Sequence, residues 1–279
     1  MLLCVGDLVE DVLVLLPEPP APGTDTTCSI ERRRGGSAAN VAEAAVVAGG
    51  SARLLARVGN DDLGDRLLFG LASAGVDTRF VQRGPHTGSI VVLVDAAGER
   101  TMLTDRGASA DLVPDPAALD GVGAVHVPAY GLDRTAPMLA LAREAGVLCS
   151  IDASSVGLLR GAGAPWWRER FTALAPDVLF ADAGEAAFLG LLDEPVPGVP
   201  LVIVKDGGRP ARILAPGHPP VSVPAETVPA VIDTTGAGDA FAAGWLVATL
   251  AGAAAEEAVV QAHRQAARAV VHVGAGVGS

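Results

Sequence analysis

The feature that most constrains the fold is a regular alternation of short apolar runs and helical segments along the second half of the chain. The apolar runs have the length of buried strands, whereas the segments between them have the residue spacing of helices. Such alternation is typical of a mainly parallel sheet covered by helices on both faces, so we predict a three-layer α/β/α core. The predicted strands are 124–127, 147–151, 178–180, 201–204 and 211–214, and the predicted helices are 133–145, 183–191 and 256–272.

Two β-rich segments interrupt this alternation in the first half of the chain. Residues 11–34 contain strand-like runs around a proline-rich loop, and residues 87–104 contain two β-type runs joined by a short loop. Segments of this kind can form a small separate sheet. We therefore predict a core made of residues 1–10, 35–86 and 105–279, and a small β unit made of residues 11–34 and 87–104.

Composition argues against several classes of function. The chain has 279 residues, of which 50% are hydrophobic, enough for a large core and a small appended unit. A net charge of −12 argues against a nucleic-acid partner, because binding to the phosphate backbone needs clustered Lys and Arg. The three cysteines are far apart, which favours a reducing cytoplasm. We expect no signal peptide and no membrane span, since the Ala-rich stretch 240–255 is typical of a core helix.

A glycine-rich string near the C-terminus, DTTGAGD at 233–239, carries the strongest sign of chemistry. Gly236 and Gly238 have no Cβ, so the backbone can turn sharply and approach a ligand closely. The apolar helix predicted after this turn directs N–H groups and the positive end of its dipole towards an anion. Asp239, in the first turn of that helix, is placed to accept a proton close to a phosphate. A lone Gly-x-Gly could also be a simple turn.

Polar residues near the N-terminus indicate a second part of the same site. Asp7 and Asp11 follow the first apolar run, and ligands gather at the carboxyl ends of parallel strands. The Gly35-Gly36 pair precedes a helix and allows close approach of the backbone to a ligand. Asn40 offers both a donor and an acceptor, which suits sugar hydroxyls. Each feature alone could instead be a solvated turn or a loop-to-helix junction.

The longer string DTTGAGDAF at 233–241 resembles the C-terminal signature of the PfkB (ribokinase-like) family of sugar and nucleoside kinases. Three further anchors resemble the family in the same order: Gly6-Asp7 with Asp11, the string GGSAAN at 35–40, and Asp182 with Glu185. The resemblance covers nearly the whole chain. It implies a ribokinase-like core in which the two inserted β segments form a lid over the sugar site and pair in a homodimer.

The resemblance also implies catalytic roles. Asp239 resembles the general base that takes the proton from the attacking hydroxyl. The backbone N–H groups of Gly236, Ala237 and Gly238 resemble the anion hole that stabilises the transferring phosphoryl group.

Binding roles follow from the same resemblance. The expected substrate-binding residues are Asp7, Asp11, Gly35, Gly36, Asn40 and Arg106, and the expected nucleotide-binding residues are Lys205, Gly207, Thr235 and Gly238. Arg106 and Lys205 could instead be surface side chains.

Cations are a further implication of the resemblance. Asp182 and Glu185 fall where the family usually has Asn-x-x-Glu, which orders Mg²⁺ near the phosphates of ATP. A carboxylate in place of the amide is also a good ligand for this hard cation. A monovalent cation such as K⁺ activates parts of the family, and its expected site lies between the Asp233 loop and Gly274-Ala275.

We therefore predict an ATP-dependent kinase that phosphorylates a hydroxymethyl group of a small sugar. Ser37 stands where ribokinases carry a lysine, and residues 127–130 lack the acidic residue that ribokinases place after a mid-chain strand. The string GGSAANVA at 35–42 is more similar to fructokinase-like and 2-keto-3-deoxygluconate kinase-like members. A nucleoside kinase of the same fold is an alternative that the 4% aromatic content disfavours. A non-catalytic sugar sensor is another, although a sensor needs neither a base nor an anion hole.

Overall fold

The computed structural model describes residues 1–271. Within that range the chain forms fourteen strands and eight α-helices, numbered here in chain order. The strands are β1 (Leu2–Val5), β2 (Val9–Leu15), β3 (Ser29–Gly35), β4 (Ala52–Leu55), β5 (Arg57–Gly59), β6 (Gln82–Gly84), β7 (Thr87–Val94), β8 (Arg100–Gly107), β9 (Ala124–Pro128), β10 (Leu148–Asp152), β11 (Val178–Asp182), β12 (Leu201–Lys205), β13 (Ala211–Leu214) and β14 (Val221–Val223). The helices are α1 (Ser37–Val47), α2 (Asp62–Ser73), α3 (Leu132–Glu144), α4 (Val156–Ala162), α5 (Ala164–Leu174), α6 (Ala183–Leu189), α7 (Ala237–Leu250) and α8 (Ala255–Val270).

The main sheet has eight strands, in the order β14-β13-β12-β11-β10-β9-β1-β4. All neighbours from β4 to β12 in this order are parallel, whereas β13 and β14 add antiparallel strands at one edge. The central strands are continuous apolar runs because both of their faces are covered, as in the buried residues 178–181 of β11. The predicted mainly parallel sheet is confirmed.

Helices cover both faces of this sheet and complete two apolar cores. On one face, α1, α2, α7 and α8 pack around side chains such as Phe180 and Trp245. On the other face, α3, α4, α5 and α6 pack around side chains such as Ile151 and Phe171. The predicted three-layer α/β/α core is therefore confirmed.

The Ala-rich stretch 240–255 lies mostly in the core helix α7, which packs between α1 and α8. The stretch is not one helix, because the chain turns at Gly252, where φ is +91°, before α8 begins. No helix within residues 1–271 has both the length and the apolar character needed to cross a membrane.

A second sheet of four strands is formed by the two inserted segments, in the order β3-β2-β7-β8. β2 is antiparallel to β3 and parallel to β7, and β7 and β8 form the predicted hairpin. The hairpin loop is fixed by Asp95, whose Oδ1 accepts hydrogen bonds of 2.9 Å from the N–H groups of Ala97 and Glu99.

The strands of this small sheet are longer than the sequence suggests. β2 begins at Val9 rather than at residue 11, because Val9 pairs with Gly35 at the end of β3. β8 continues past residue 104, because Thr87 pairs with Gly107. The small sheet therefore includes residues that were predicted to belong to the core.

The chain order of the main sheet reverses at β1, which lies between β4 and β9. The connections that leave β1 and β9 run in opposite directions, and ligands bind in the crevice that opens at such a point. Asp7 follows β1, and Gly131 after β9 caps the start of α3, so both lie at this crevice.

The contact between the residues after β1 and the start of α1 leads to a prediction about stability. Gly36 has a φ of +98°, and a Cβ at this position would collide with the backbone oxygen of Asp7. We expect Gly36→Ala to lower the free energy of unfolding by about 2–4 kcal/mol, from the unfavourable φ together with the clash. Urea unfolding measures this change.

The matched control is Gly49→Ala, since Gly49 has a φ of +85° and open space around its Cβ position. This variant should lose only about 1 kcal/mol, the cost of the backbone conformation. Equal losses of unfolding free energy in the two variants would show that the clash with Asp7 does not affect stability.

Candidate active site

A cavity of about 320 Å³ opens at the carboxyl ends of the main-sheet strands and at the start of α7. Residues from distant parts of the chain line it: Ser37, Tyr130, Asp152, Ser154, Asp182, Glu185, Lys205, Gly207, Gly236, Gly238 and Asp239. The cavity thus brings together residues predicted as catalytic, nucleotide-binding and metal-binding. The residues predicted to bind substrate lie beside it and are connected to it through Asn40.

Asp239 is held by two side chains from α1. The Ser37 hydroxyl donates to Oδ1 over 2.7 Å, and the Asn40 amide nitrogen donates to Oδ2 over 2.8 Å. Burial raises the pKa of Asp239 to about 6, although these two hydrogen bonds favour the charged form and oppose the rise. A carboxyl group with this pKa is ionised at neutral pH and can also take up a proton.

The orientation of Asn40 is set by Arg34 at the end of β3. Nη1 of Arg34 donates to Oδ1 of Asn40 over 2.7 Å, so the amide nitrogen must point at Asp239. Nη2 of Arg34 is held in turn by Oε2 of Glu43 on α1, at 2.5 Å. Asn40 was predicted from the sequence as a site residue, whereas Arg34 and Ser37 were not. Ser37 lay within the recognised string, but only as a departure from the lysine of ribokinases.

The turn before α7 has the conformation expected of an anion-binding site. Gly236 caps the helix with a φ of 78°, in the left-handed region. Gly236 and Gly238 line the cavity, whereas Ala237 lines a neighbouring pocket and donates its N–H to the oxygen of Thr234 over 3.2 Å. The two glycines are therefore better placed than Ala237 to meet an anion in the cavity.

Lys205 at the end of β12 points into the same cavity. Its Nζ lies 2.6 Å from Oδ2 of Asp152, and only 13% of its side chain is exposed, so it is not a surface lysine. Burial alone would lower the pKa of Lys205, but the carboxylates of Asp152 and Glu185 outweigh burial and raise it. A Cβ at Gly238 would lie 3.1 Å from Nζ, so the glycine gives the ammonium room beside α7.

Asp182 and Glu185 form a capping box at the start of α6. Oδ1 of Asp182 accepts from the N–H of Glu185, and Oε2 of Glu185 accepts from the N–H of Asp182, both over 2.7 Å. Burial and the neighbouring Asp152 carboxylate raise the pKa of Glu185 above its usual range. Asp152 directly follows the predicted strand 147–151, but it was not predicted as a site residue.

A cation would find two carboxylates at this place rather than a complete cage. In the part of the chain that the structure describes, no group of three or more His, Cys, Asp or Glu side chains is arranged to hold a metal ion. The second oxygens of Asp182 and Glu185 are outside the capping box and remain for other ligands. The position expected for K⁺ at Gly274-Ala275 lies outside the described residues.

Asp7 lies between two arginines at the crevice beside β1. Nη2 of Arg134, on α3, donates to Oδ1 over 2.9 Å, and Nη1 of Arg106, at the end of β8, donates to Oδ2. Burial raises the pKa of Asp7, and both guanidinium groups oppose this rise. Arg106 is therefore an ion-pair partner rather than a free surface side chain. Arg134 was not identified from the sequence.

Asp11 lies on β2, with its carboxylate directly over Gly35. A Cβ at Gly35 would collide with this carboxylate, so the first glycine of the pair admits Asp11. Burial raises the pKa of Asp11 to about 6, against the opposing effect of Arg34 and with a further rise from Asp239. Asp11 and Asp239 therefore interact electrostatically across the site.

The lid sheet contacts the loop before α7 through two arginines. Arg33 on β3 lies 3.2 Å from Oδ2 of Asp233, and Nη1 of Arg100 on β8 donates to the hydroxyl of Thr235 over 3.2 Å. Oδ1 of Asp233 also accepts the N–H of Thr235 over 2.9 Å. The Thr235 hydroxyl thus contacts the lid sheet through Arg100, whereas Thr235 was predicted to bind the nucleotide.

A second, mostly apolar pocket of about 200 Å³ adjoins the cavity and shares Lys205, Gly207 and Gly238 with it. Its other lining residues come from the loop after β12, from the segment between β14 and α7, and from α7 and α8: Asp206, Gly208, Ala225, Glu226, Val228, Val231, Thr234, Ala237, Phe241, His263, Ala266, Ala267 and Val270. Such a pocket suits a flat apolar group joined to an anion in the neighbouring cavity.

Known proteins are similar to this chain in sequence and in fold. An ATP-dependent ribose-1-phosphate kinase of Halopiger xanaduensis is 34% identical over 261 residues, covering 88% of this chain and 83% of its own. A fructokinase of Klebsiella pneumoniae is 32% identical over 271 residues, with coverages of 87% and 82%. The structure of Arabidopsis thaliana ribokinase complexed with ribose and ATP has a TM-score of 0.84 and 23% identity, covering 98% of this chain and 93% of its own.

The family comparison agrees with these relatives. The model of the pfkB family carbohydrate kinases matches residues 1–144 and 175–279, which is most of the chain. The matched residues include the glycine turn before α7, Asp239 and most of the cavity lining, whereas Asp152 and Ser154 lie between the two matched parts. The chain therefore belongs to the PfkB family of carbohydrate kinases, phosphotransferases that use an alcohol group as acceptor.

Proposed function

We propose that this protein transfers the γ-phosphoryl group of ATP to a hydroxymethyl group of a small sugar, with Asp239 as the general base. The observation that carries the proposal is the position of this carboxylate. It lies in the cavity at the start of α7, next to the glycine turn, and is joined through Asn40 to the substrate side of the site. A proton acceptor and an anion site thus adjoin each other.

ATP fits the two connected cavities. The apolar pocket beside α8 takes the adenine, and the phosphates extend past Gly207 and Lys205 to the turn at Gly236 and Gly238. The ammonium of Lys205, held by Asp152, supplies positive charge to a chain that is acidic overall. The enzyme acts in the cytoplasm, a location that the free thiols of Cys4, Cys28 and Cys149 support.

Asp182 and Glu185 fit a Mg²⁺ ion that accompanies ATP. These two carboxylates share the cavity with Asp152, and the mutual repulsion of three carboxylates is relieved by a divalent cation. Mg²⁺ is commonly bound by one or two carboxylates together with substrate phosphates. When bound, it neutralises charge on the phosphates.

Phosphoryl transfer then depends on positioning and electrostatics. The acceptor oxygen forms a bond to the γ-phosphorus, while the bond from phosphorus to the β,γ-bridging oxygen breaks and ADP leaves. The hydroxyl proton passes to Asp239, which has a pKa suited to receive it. The N–H groups at Gly236 and Gly238 stabilise the charge on the transferring group.

The acceptor is a sugar within the range of the relatives. The relative from Halopiger is named for ribose-1-phosphate, and the one from Klebsiella is a fructokinase. Asp11 and Asn40 line the approach to Asp239 and supply acceptors and donors for sugar hydroxyls. Membership of a kinase family favours catalysis over the alternative of a sensor, and a nucleoside as acceptor is an outcome that an assay with adenosine tests.

The two inserted segments form a lid that pairs with the lid of a second copy. Two large apolar side chains on its outer strands support this, because the register puts them on the same face of the sheet: Ile30 and Leu103, which are 59% and 57% exposed. Apolar surface of this kind marks an interaction site when it is contiguous.

Removal of the general base is the first test. Asp239→Asn keeps the shape of the side chain but cannot accept a proton, so kcat should fall at least about 100-fold. ATP affinity, measured by calorimetry, should change little. The control is Asp65→Asn on α2, where the carboxylate is mostly exposed. This variant should leave kcat unchanged. Near-normal turnover of Asp239→Asn would remove Asp239 from the mechanism.

The pH profile tests the role of Ser37. Because Asp239 has a raised pKa and must be ionised to act as a base, kcat/KM should fall as the pH drops through about 6. Ser37→Ala deletes a hydrogen bond to the charged form, so the pKa should rise and the acidic limb should move up by about one pH unit. Ser222→Ala, at an exposed position on β14, is the control. A limb that stays in place or moves to lower pH contradicts the assignment.

Light scattering tests the lid dimer. The wild-type protein should have twice the mass of one chain, and Leu103→Asp should shift it to the monomer because a buried charge disrupts an apolar interface. Leu192→Asp changes a side chain that is 64% exposed outside the lid, and it should leave the dimer intact. A monomeric wild type would refute the proposed pairing.

A further inference from the structure

We propose that the acceptor sugar carries a phosphate group and that Arg106 and Arg134 bind this group at the crevice beside β1. The inference rests on the proposed kinase function and specifies its substrate class. It assigns a binding role to Arg134, a residue outside the strings that resemble the family, and it treats the two arginines as one phosphate subsite.

Asp7, Arg106 and Arg134 form a cluster with a net positive charge. The single carboxylate of Asp7 is shared by two guanidinium groups, which leaves one positive charge in excess. Asp11, the other acidic residue expected at the substrate side, has Arg34 and Arg33 as its own positive neighbours. An acidic chain thus concentrates arginine where the acceptor must enter, and a neutral sugar has no use for such an excess.

The second argument is geometry. Arg guanidinium groups form planar forks that match phosphate oxygens, and each fork here uses one terminal nitrogen on Asp7. Asp7 therefore holds the two side chains in place in advance. Arg106 and Arg134 keep 31% and 19% of their side-chain surface exposed, and Nε of Arg134 is buried without a hydrogen-bond partner.

The third argument is the position of the cluster in the fold. Asp7 and Arg134 lie at the carboxyl ends of β1 and β9, where the strand order reverses and ligands bind. Residues 127–130 carry no acidic side chain, and Arg134 in the first turn of α3 brings a positive charge to this place.

The fourth argument is the connection to the base. The backbone oxygen of Asp7 lies against Gly36, and the helix that starts there carries Ser37 and Asn40, which both donate to Asp239. A sugar can therefore place its phosphate at the arginines and its hydroxymethyl group at the carboxylate.

Paired substrates test the inference. ADP formation is compared for ribose and ribose 1-phosphate, and for fructose and fructose 6-phosphate, with 2-keto-3-deoxygluconate as a carboxylate. We expect a higher kcat/KM for the phosphorylated member of at least one pair. Arg134→Gln and Arg106→Gln should each reduce the preference for that member over its neutral partner by about 10–100-fold. Arg134→Lys, which keeps the charge but not the fork, should lie between these variants and the wild type.

The matched control is Arg170→Gln. Arg170 on α5 forms a 2.7 Å ion pair and is 31% exposed, like Arg106, but its partner is Asp133 rather than Asp7. This variant should keep the full preference. Melting temperatures of all variants confirm that they are folded.

Calorimetric titration of ribose 1-phosphate and fructose 6-phosphate separates the two levels of the proposal. Weaker binding in Arg134→Gln but not in Arg170→Gln supports the subsite even if no acceptor is turned over, a result that would count against the kinase function alone. A preference for the neutral member of both pairs, or for the carboxylate over all phosphates, would overturn the subsite while leaving the kinase function intact.

Discussion

The close approach of α1 to the end of β1 is the constraint on which the site depends. Gly36 lies so close to the backbone oxygen of Asp7 that a Cβ at this position would collide with that oxygen. This contact fixes the start of α1, so Ser37 and Asn40 both reach Asp239 at the start of α7. One glycine thus connects the crevice beside β1 to the carboxylate of Asp239, and the packing of α1 on α7 holds the two helix starts together.

Charge is distributed unevenly over an acidic molecule. Around the cavity, burial and the Asp152 carboxylate raise the pKa values of Glu185 and Asp239, and Lys205 opposes both rises. On the substrate side, arginines outnumber the carboxylate of Asp7. The site can therefore attract phosphate at two ends, although the chain as a whole carries a net charge of −12.

Local sequence predicted the layers, the hairpin and the glycine turn, because these depend on periodicity and on residues close together in the chain. Contacts between distant segments were not predictable. Arg134 reaches Asp7 across 127 positions, and nothing in the residues around Arg134 marks this pairing. Asp152 was seen only as the end of a strand, since its role depends on Lys205 in another strand. The lid bounds were missed because strand length follows from pairing across the ladder.

The contacts from Arg33 and Arg100 to the loop before α7 have a mechanical consequence. Any movement of the lid sheet away from the core has to break these contacts, together with those of Arg34 and Arg106. Such a movement separates Arg33 from Asp233, and that residue also shapes the glycine turn through the N–H of Thr235. Entry of the acceptor and the shape of the phosphoryl site are therefore linked by the same swing of one small sheet.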